Sequence, residues 1–124
     1  MNQPSLILAL LIQGLAHPAR AAVSFQPADS APLAFAAAEI ERAAQEAKQP
    51  VPDGAIGVTA GAAQSYRIER YGSKVRVIGG DAAGAMYGGL DIAEAIRTGT
   101  LDALKDSDHT PHIAWRGIKF NIPL

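Results

Sequence analysis

The chain of 124 residues lacks cysteine, a clear excess of charge of either sign and any apolar run long enough to span a membrane. Without cysteine, a disulfide framework and a thiolate metal site are both excluded, and any redox compartment is compatible. Lysine and arginine total 11 against 12 aspartate and glutamate residues, which gives a net charge of -1. Because binding to a phosphate backbone needs a basic face, we expect no nucleic-acid partner.

The N-terminus carries a short apolar run, Leu6–Ile12. This run has the length of a signal-peptide core and is too short to cross a bilayer as a helix. Ala19–Ala21 then supplies a small-x-small cleavage site. The pattern predicts an export signal over residues 1–21, cleaved near Ala21, and a secreted or periplasmic protein with no membrane contact after cleavage. Met1–Ser5 contains no lysine or arginine, so the alternatives are a buried N-terminal helix or a misassigned start.

A first helix is predicted after a short strand at Ala22–Phe25. Pro32 stands in its first turn, where the missing N–H costs nothing, and Ser30 is close enough to cap it. Pro50 and Pro52 are expected to stop the helix.

The two faces of this helix differ in polarity, since apolar residues recur at three- and four-residue spacing. The opposite face carries the charged and polar residues Glu39, Glu41, Arg42, Gln45, Glu46 and Lys48. We expect that face to be solvated and to hold an Arg42 to Glu46 pair worth about 0.3 kcal/mol.

The clearest hairpin signal consists of Tyr66–Tyr71 and Lys74–Ile78, two alternating runs joined by Gly72-Ser73. A two-residue connection of this kind predicts a type II′ turn and fixes the register. The predicted cross-strand pairs are Ile68 with Val77 and Glu69 with Arg76. We interpret Glu69 and Arg76 as ion-pair partners on the solvent face. Another short strand is predicted before the hairpin, at residues 55–59.

Val75–Arg97 reads as a strand, a glycine turn and an amphipathic helix in succession. The helix is predicted over about Ala82–Thr98, with Asp81 as its cap and Gly99 at its end. Two glycines inside it, at positions 88 and 89, each cost about 1 kcal/mol relative to alanine. They predict a close approach of the helix to a sheet or to a neighbouring domain.

The run Gly79–Gly84 superficially resembles a phosphate cradle between a strand and a helix. Its spacing matches neither G-x-G-x-x-G nor the P-loop, and Asp81 would repel an anion. We interpret the run as a tight turn with close packing and predict no bound cofactor.

No catalytic or metal-binding residue is predicted. His109 and His112 are separated by Pro111, which disfavours the helix that would bring both histidines to one metal with Asp106 and Asp108. No G-x-S-x-G elbow is present. The candidate acids for glycoside hydrolysis lie on helix faces that read as structural: Glu39, Glu41, Asp91 and Glu94.

The end of the chain begins a new apolar segment. Leu101–Pro111 is predicted to be a polar loop, and Ile113–Leu124 then alternates apolar and polar residues as a half-buried strand does. Its apolar ending has nothing to cover it, which predicts the truncated start of a larger protein.

Val75–Arg97 and Pro111–Leu124 together resemble the N-terminal α/β domain of secreted glycoside hydrolases of the α-glucuronidase and β-hexosaminidase type. In that family a helix containing a Tyr-Gly pair, here Tyr87-Gly88, closes the small domain. A segment like Arg116–Asn121 then forms the first strand of the catalytic (β/α)8 barrel. The resemblance covers about Ala22–Leu124.

The resemblance implies that the catalytic acids lie on later barrel strands, beyond Leu124. A barrel site is built by several βα loops, so one strand cannot assemble it. Asn121, near the end of the strand, is the single substrate-binding residue that the resemblance suggests.

We therefore expect an α/β fold, an α+β two-layer sandwich with about four strands and two helices on one face. The expected domains are a signal peptide (1–21), the sandwich (22–110) and the first strand of a missing barrel (111–124). The expected role is a non-catalytic accessory domain of an exported carbohydrate-active hydrolase, present as a fragment. Its partner would be its own barrel, with carbohydrate bound through that barrel. The alternative is a free-standing exported binding or interaction module.

Overall fold

The computed structural model describes residues 23–113 and Gly117, so the predicted export signal and most of the C-terminal segment lie outside the described residues. The elements, in chain order, are β1 (Val23–Gln26), α1 (Ala31–Glu46), β2 (Gly54–Val58), β3 (Tyr66–Tyr71), β4 (Lys74–Gly79), α2 (Ala82–Arg97), a 3-10 turn (Leu101–Ala103) and β5 (Ser107–His109).

The strands form one mixed sheet in the order β1-β2-β4-β3-β5. β1, β2 and β4 run parallel, whereas β3 is antiparallel to both β4 and β5. Side chains from one face of the sheet share a single core with both helices. The predicted α/β sandwich class is confirmed.

Within residues 23–113 the sheet has five strands, where about four were expected. The additional strand, β5, lies in Leu101–Pro111, the stretch predicted to be a loop, and pairs Ser107 with Ile68 and His109 with Tyr66. Three polar residues are too few to show the alternation that identifies a strand. Pairing with β3, across more than 30 residues of chain, is what makes this segment a strand.

The core is built from small and branched side chains. Its largest fully buried members are Leu33, Ile68, Val77, Ile92 and Ile96. Four alanines of α1 are also buried and let the two helices lie close together: Ala36, Ala37, Ala43 and Ala44.

Gly88 and Gly89 lie where α2 approaches its neighbours most closely. A Cβ on Gly88 would overlap Val77 and lie 2.8 Å from Cδ2 of Tyr66, on the sheet. A Cβ on Gly89 would lie 2.7 Å from Cβ of Ala36, on α1. The predicted close approach to the sheet is confirmed, and α1 is the second surface that requires a glycine.

The hairpin has the predicted register. Ile68 pairs with Val77 and Glu69 pairs with Arg76. Gly72 in the connecting turn has φ +61°, which a type II′ turn requires at its first central position.

The expectation for the polar face of α1 is wrong at Glu39, which is only 7% exposed. Its carboxylate accepts a hydrogen bond of 3.1 Å from Nη2 of Arg97 and pairs with Arg42 as well. Glu46 binds Nε of Arg97 at 2.8 Å, and Arg42 pairs with Glu39 instead of forming the predicted pair with Glu46. The cause is non-local, because the end of α2 brings Arg97 alongside α1.

Both helices end in a residue with left-handed backbone. After α2, Gly99 has φ +69°, and the N–H groups of Gly99 and Thr100 bind carbonyls of the last turn at 3.1 and 2.8 Å. After α1, Lys48 has φ +53° and the same hydrogen-bond pattern, two residues before Pro50. This Schellman motif, rather than the proline, therefore ends α1. At the other end Ser30 occupies the N-cap position without a side-chain hydrogen bond.

Lys48→Gly is expected to stabilise the protein by about 0.5 to 1 kcal/mol, because glycine adopts positive φ without the steric cost that lysine pays there. Urea denaturation followed by circular dichroism measures this change. Gly99→Ala is the matched reverse substitution, since open space surrounds a Cβ at Gly99. It should destabilise by a similar amount. A loss of stability in Lys48→Gly would contradict the assignment of the motif.

Candidate functional site

A cleft of about 720 Å³ lies beside α2 at the edge of the sheet formed by β5. Residues from three parts of the chain line it: the start of β3, the middle of α2 and the segment 108–112 that leaves the sheet. Its walls include Tyr66, Tyr87, Leu90, Asp91, His109 and His112. The cleft therefore combines apolar and aromatic surface with two carboxylates, those of Asp91 and Asp108, and two imidazoles.

Tyr66 joins the walls of the cleft to one another. Its ring stacks on the ring of His109, with the centroids 4.5 Å apart and the planes 8° from parallel. Its hydroxyl donates a hydrogen bond to the carboxylate of Asp91 on α2. The imidazole Nε2 of His109 lies 2.9 Å from Oγ of Ser107. Since Gly88 lets the Tyr66 ring lie against α2, these contacts connect α2, β3 and β5.

The structure gives other partners to the residues considered for a metal site. Asp106 accepts a hydrogen bond of 2.8 Å from the backbone N–H of Arg70. Asp108 accepts a hydrogen bond of 2.6 Å from Nε of Arg67 and thereby raises the pKa of that guanidinium. Although His109 and His112 line the same cleft, the described residues contain no group of three or more side chains placed to hold a metal ion.

The glycine run at the start of α2 is a turn with close packing, as predicted. Oδ1 of Asp81 accepts a hydrogen bond of 2.7 Å from the N–H of Gly84, and Oδ2 accepts one of 2.9 Å from the N–H of Gln64. A Cβ on Gly84 would overlap the carbonyl oxygen of Ser65. The loop before β3 therefore covers the N-terminus of α2, and the Asp81 carboxylate occupies the position that a phosphate would need.

The helix-free face of the sheet holds the predicted ion pair. Nε of Arg76 donates to Glu69 at 2.8 Å, and the Tyr71 hydroxyl donates to the same carboxylate oxygen at 2.9 Å. The guanidinium of Arg76 also lies 5.2 Å from the centroid of the Tyr71 ring. Hydrogen bonds from Arg76 and then Tyr71 lower the pKa of Glu69. Glu69 and Arg76 are thus partners on the exposed face.

Asp91 is a cleft residue that the sequence analysis considered as an acid and assigned to a structural helix face. On the helix pattern it belongs to an exposed face, and only its contact with Tyr66, 25 residues earlier, assigns it to the cleft. No periodic signal links these two positions. Asn121, the suggested substrate-binding residue, lies outside the described residues.

Neither α1 nor α2, the two α-helices among the described residues, is long and apolar enough to cross a membrane.

No protein-family model and no curated protein matches the chain. Among solved structures, it is similar to a GH138 enzyme targeting pectin rhamnogalacturonan II, with a TM-score of 0.63 and 21% sequence identity. The similarity covers 74% of this chain and only 12% of that enzyme, so the chain corresponds to a small segment of it. The predicted resemblance to a glycoside-hydrolase domain is confirmed at the level of the fold: this chain shares its fold with one segment of a glycoside hydrolase.

Proposed function

We propose that this chain is a non-catalytic N-terminal accessory domain of an exported carbohydrate-active hydrolase of the α-glucuronidase or β-hexosaminidase type. The observation that carries the proposal is the similarity of 74% of the chain to a segment that makes up 12% of a GH138 enzyme. A fold alone does not imply an activity. The role proposed is therefore that of one part within a longer hydrolase.

The arrangement of the carboxylates supports a non-catalytic role. Glycoside hydrolysis typically uses two carboxyl groups about 5 to 10 Å apart across the scissile bond, each accessible to the sugar. Here several carboxylates are bound to neighbouring side chains instead: Glu39 to Arg97, Glu69 to Arg76 and Asp108 to Arg67. These pairs fix helices and strands to one another. Catalytic acids would come from the barrel that follows.

The proposal implies a partner and a location. The partner is the catalytic barrel of the same polypeptide, and carbohydrate is bound through that barrel. The apolar run at Leu6–Ile12 supports export as the route by which the protein reaches its polysaccharide.

The purified chain is expected to show no turnover of aryl glycosides or aryl glucuronides. The physical reason is that the two carboxyl groups that glycoside hydrolysis needs would lie in the catalytic barrel. The release of the aryl alcohol, followed by absorbance over a long incubation, is the measurement. Turnover that copurifies with the folded chain through two chromatographic steps would contradict the proposal.

A free-standing exported binding or interaction module is the second candidate, and the open cleft beside α2 favours it. The coding DNA downstream of Leu124 separates the two. An open frame encoding a barrel, directly or after a frameshift, supports the hydrolase. A clean stop with no barrel downstream supports the module. For a module that binds sugar, a glycan array should report binding, which Leu90→Lys in the cleft should abolish.

A further inference from the structure

We propose that the helix-free face of the sheet binds a neutral carbohydrate chain in a groove that runs along β2 and passes Tyr71. This groove, here called the sheet groove, consists of two adjoining hollows of about 260 and 300 Å³ that share Ser24, Ala55 and Arg76. The site goes beyond the proposed role, in which carbohydrate is bound through the barrel. All of its residues lie within 23–113.

The floor of the sheet groove is low because two neighbouring strands carry small side chains there. Ser24 on β1 lies beside Ala55 on β2, and Gly57 is the next residue of β2 on the same face. On the other side of Ala55, β4 presents the long side chain of Arg76 as a wall. The groove follows residues 53–59, about 20 Å at about 3.3 Å per residue. This length accommodates several sugar rings of an extended chain.

Tyr71 supplies an aromatic surface at the end of the sheet groove nearest Asp53. It is 57% exposed, yet its side chain is held in place. Nη2 of Arg76 donates a hydrogen bond of 2.8 Å to its hydroxyl, which in turn donates one of 2.9 Å to Glu69. A ring fixed in this way loses little conformational entropy when a ligand packs on it. The C–H face of a sugar ring is an apolar surface of the kind that packs on such a ring.

The polar groups of the sheet groove both donate and accept hydrogen bonds, as sugar hydroxyls do. Lys74 and Arg76 donate, Asp53 accepts, and the hydroxyl of Ser24 does both. Within residues 23–113 the guanidinium of Arg76 forms its hydrogen bonds through Nε and Nη2. Its Nη1 therefore keeps two N–H donors for a ligand.

The charges at the sheet groove already have partners of opposite sign. Nζ of Lys74 lies 3.2 Å from the carboxylate of Asp53, and Arg76 binds Glu69. An ionic ligand would compete with these pairs, whereas neutral hydroxyls can hydrogen-bond to the same groups without breaking them. A second copy that docked through the same face would set one groove against another and leave both unfilled. The groove therefore fits a neutral carbohydrate better than an anion or a second copy.

Titration of the ¹⁵N-labelled chain with hexasaccharides, followed by amide chemical shifts, tests the proposal. Cellohexaose, xylohexaose and mannohexaose are the neutral probes, and hexagalacturonic acid is the acidic one. We expect at least one neutral probe to produce saturable shifts at millimolar concentration. The shifts should centre on Ser24, Ala55 and Gly57.

Two variants test the residues of the sheet groove. Tyr71→Ala should weaken the binding about tenfold, which is the size of a well-placed aromatic contact. Gly57→Gln should weaken it at least as much, because a Cβ there meets open space and the longer side chain would occupy the groove. Phe35→Ala is the matched control, since it removes a 49% exposed aromatic residue from α1 and should leave the affinity unchanged. Leu90→Lys, in the cleft beside α2, should leave it unchanged as well.

Four results of the wild-type titration would overturn the proposal, so the test does not depend on the folding of a variant. The first is that no neutral probe shifts the amides of the sheet groove at millimolar concentration. The second is that saturable shifts centre on the cleft beside α2, and the third is that only the acidic probe binds. The fourth is that dilution without sugar shifts the same amides, which would make a second copy the occupant.

This test and the test of the proposed function fail separately. Absence of sugar binding to the sheet groove leaves the accessory role intact, because that role depends on a barrel beyond the domain. Turnover of aryl glycosides by the purified chain would contradict the accessory role and leave the sheet groove as a binding site.

Discussion

Gly84→Ala is expected to lower the free energy of unfolding by about 3 kcal/mol, the upper end of the usual cost of overpacking. The added methyl group would overlap the carbonyl oxygen of Ser65. Two hydrogen bonds oppose movement of the loop that contains Ser65. The N–H of Gln64 binds Asp81 at 2.9 Å, and the carbonyl of Ser65 accepts a hydrogen bond of 2.8 Å from the N–H of Gly80. Relief of the overlap would break these bonds. Urea denaturation monitored by circular dichroism measures the loss.

Gly57→Ala is the matched control for this substitution. Gly57 is the fourth of the five residues of β2, and a Cβ there would meet no atom within 4 Å. Alanine should therefore be neutral or stabilising by up to about 1 kcal/mol, since glycine loses more backbone entropy on folding. Equal stabilities for the two variants would contradict the account of the loop packed on α2.

Asp81→Ala is expected to destabilise the protein by about 2 to 3 kcal/mol. The substitution removes the N-cap of α2, worth about 1 kcal/mol, and a second charge-assisted hydrogen bond, to the N–H of Gln64. Both N–H groups are partly buried, so neither regains a full bond to water. Thermal and urea denaturation measure the change. Asp81→Asn keeps one acceptor oxygen and should lose about half as much.

The control for Asp81 is Asp53→Ala. Asp53 forms an ion pair of 3.2 Å with Lys74, and both side chains are exposed. Exposed ion pairs contribute little to stability, so the free energy of unfolding of this variant should lie within about 0.5 kcal/mol of the wild-type value. If Asp81→Ala were as mild as Asp53→Ala, the hydrogen bonds of Asp81 would not hold the loop to the helix.

Features that depend on neighbouring residues were predicted well from the sequence. The hairpin register follows from the two-residue turn at Gly72-Ser73, and both predicted pairs form. α2 begins at Ala82 as predicted and ends at Arg97, one residue early. β1 and β2 are each displaced by one residue from the predicted strands. In all these cases the signal lies within a few residues of the element it specifies.

Features that depend on distant residues were not predicted. Glu39 reads as an exposed helix residue until Arg97, 58 positions later, packs against it. The cleft is likewise missed, because it depends on contacts from Tyr66 to Asp91 and to His109, in separate elements. β5 is a strand only through its pairing with β3. The hydrophobic periodicity of a single sequence reports only local structure. It therefore gives no sign of a contact between two residues that lie far apart in the chain.

The order of the strands along the chain also has a consequence for how the domain folds. β3, β4 and α2 follow one another over residues 66–97, joined by a two-residue turn and by a short connection through Gly80 and Asp81. Closing such short loops costs little chain entropy, whereas pairing β1 with β2 must close the longer loop that contains α1. We therefore expect the hairpin and α2 to form the folding nucleus, and β1 and β5, the two outer strands, to join the sheet last and to open first.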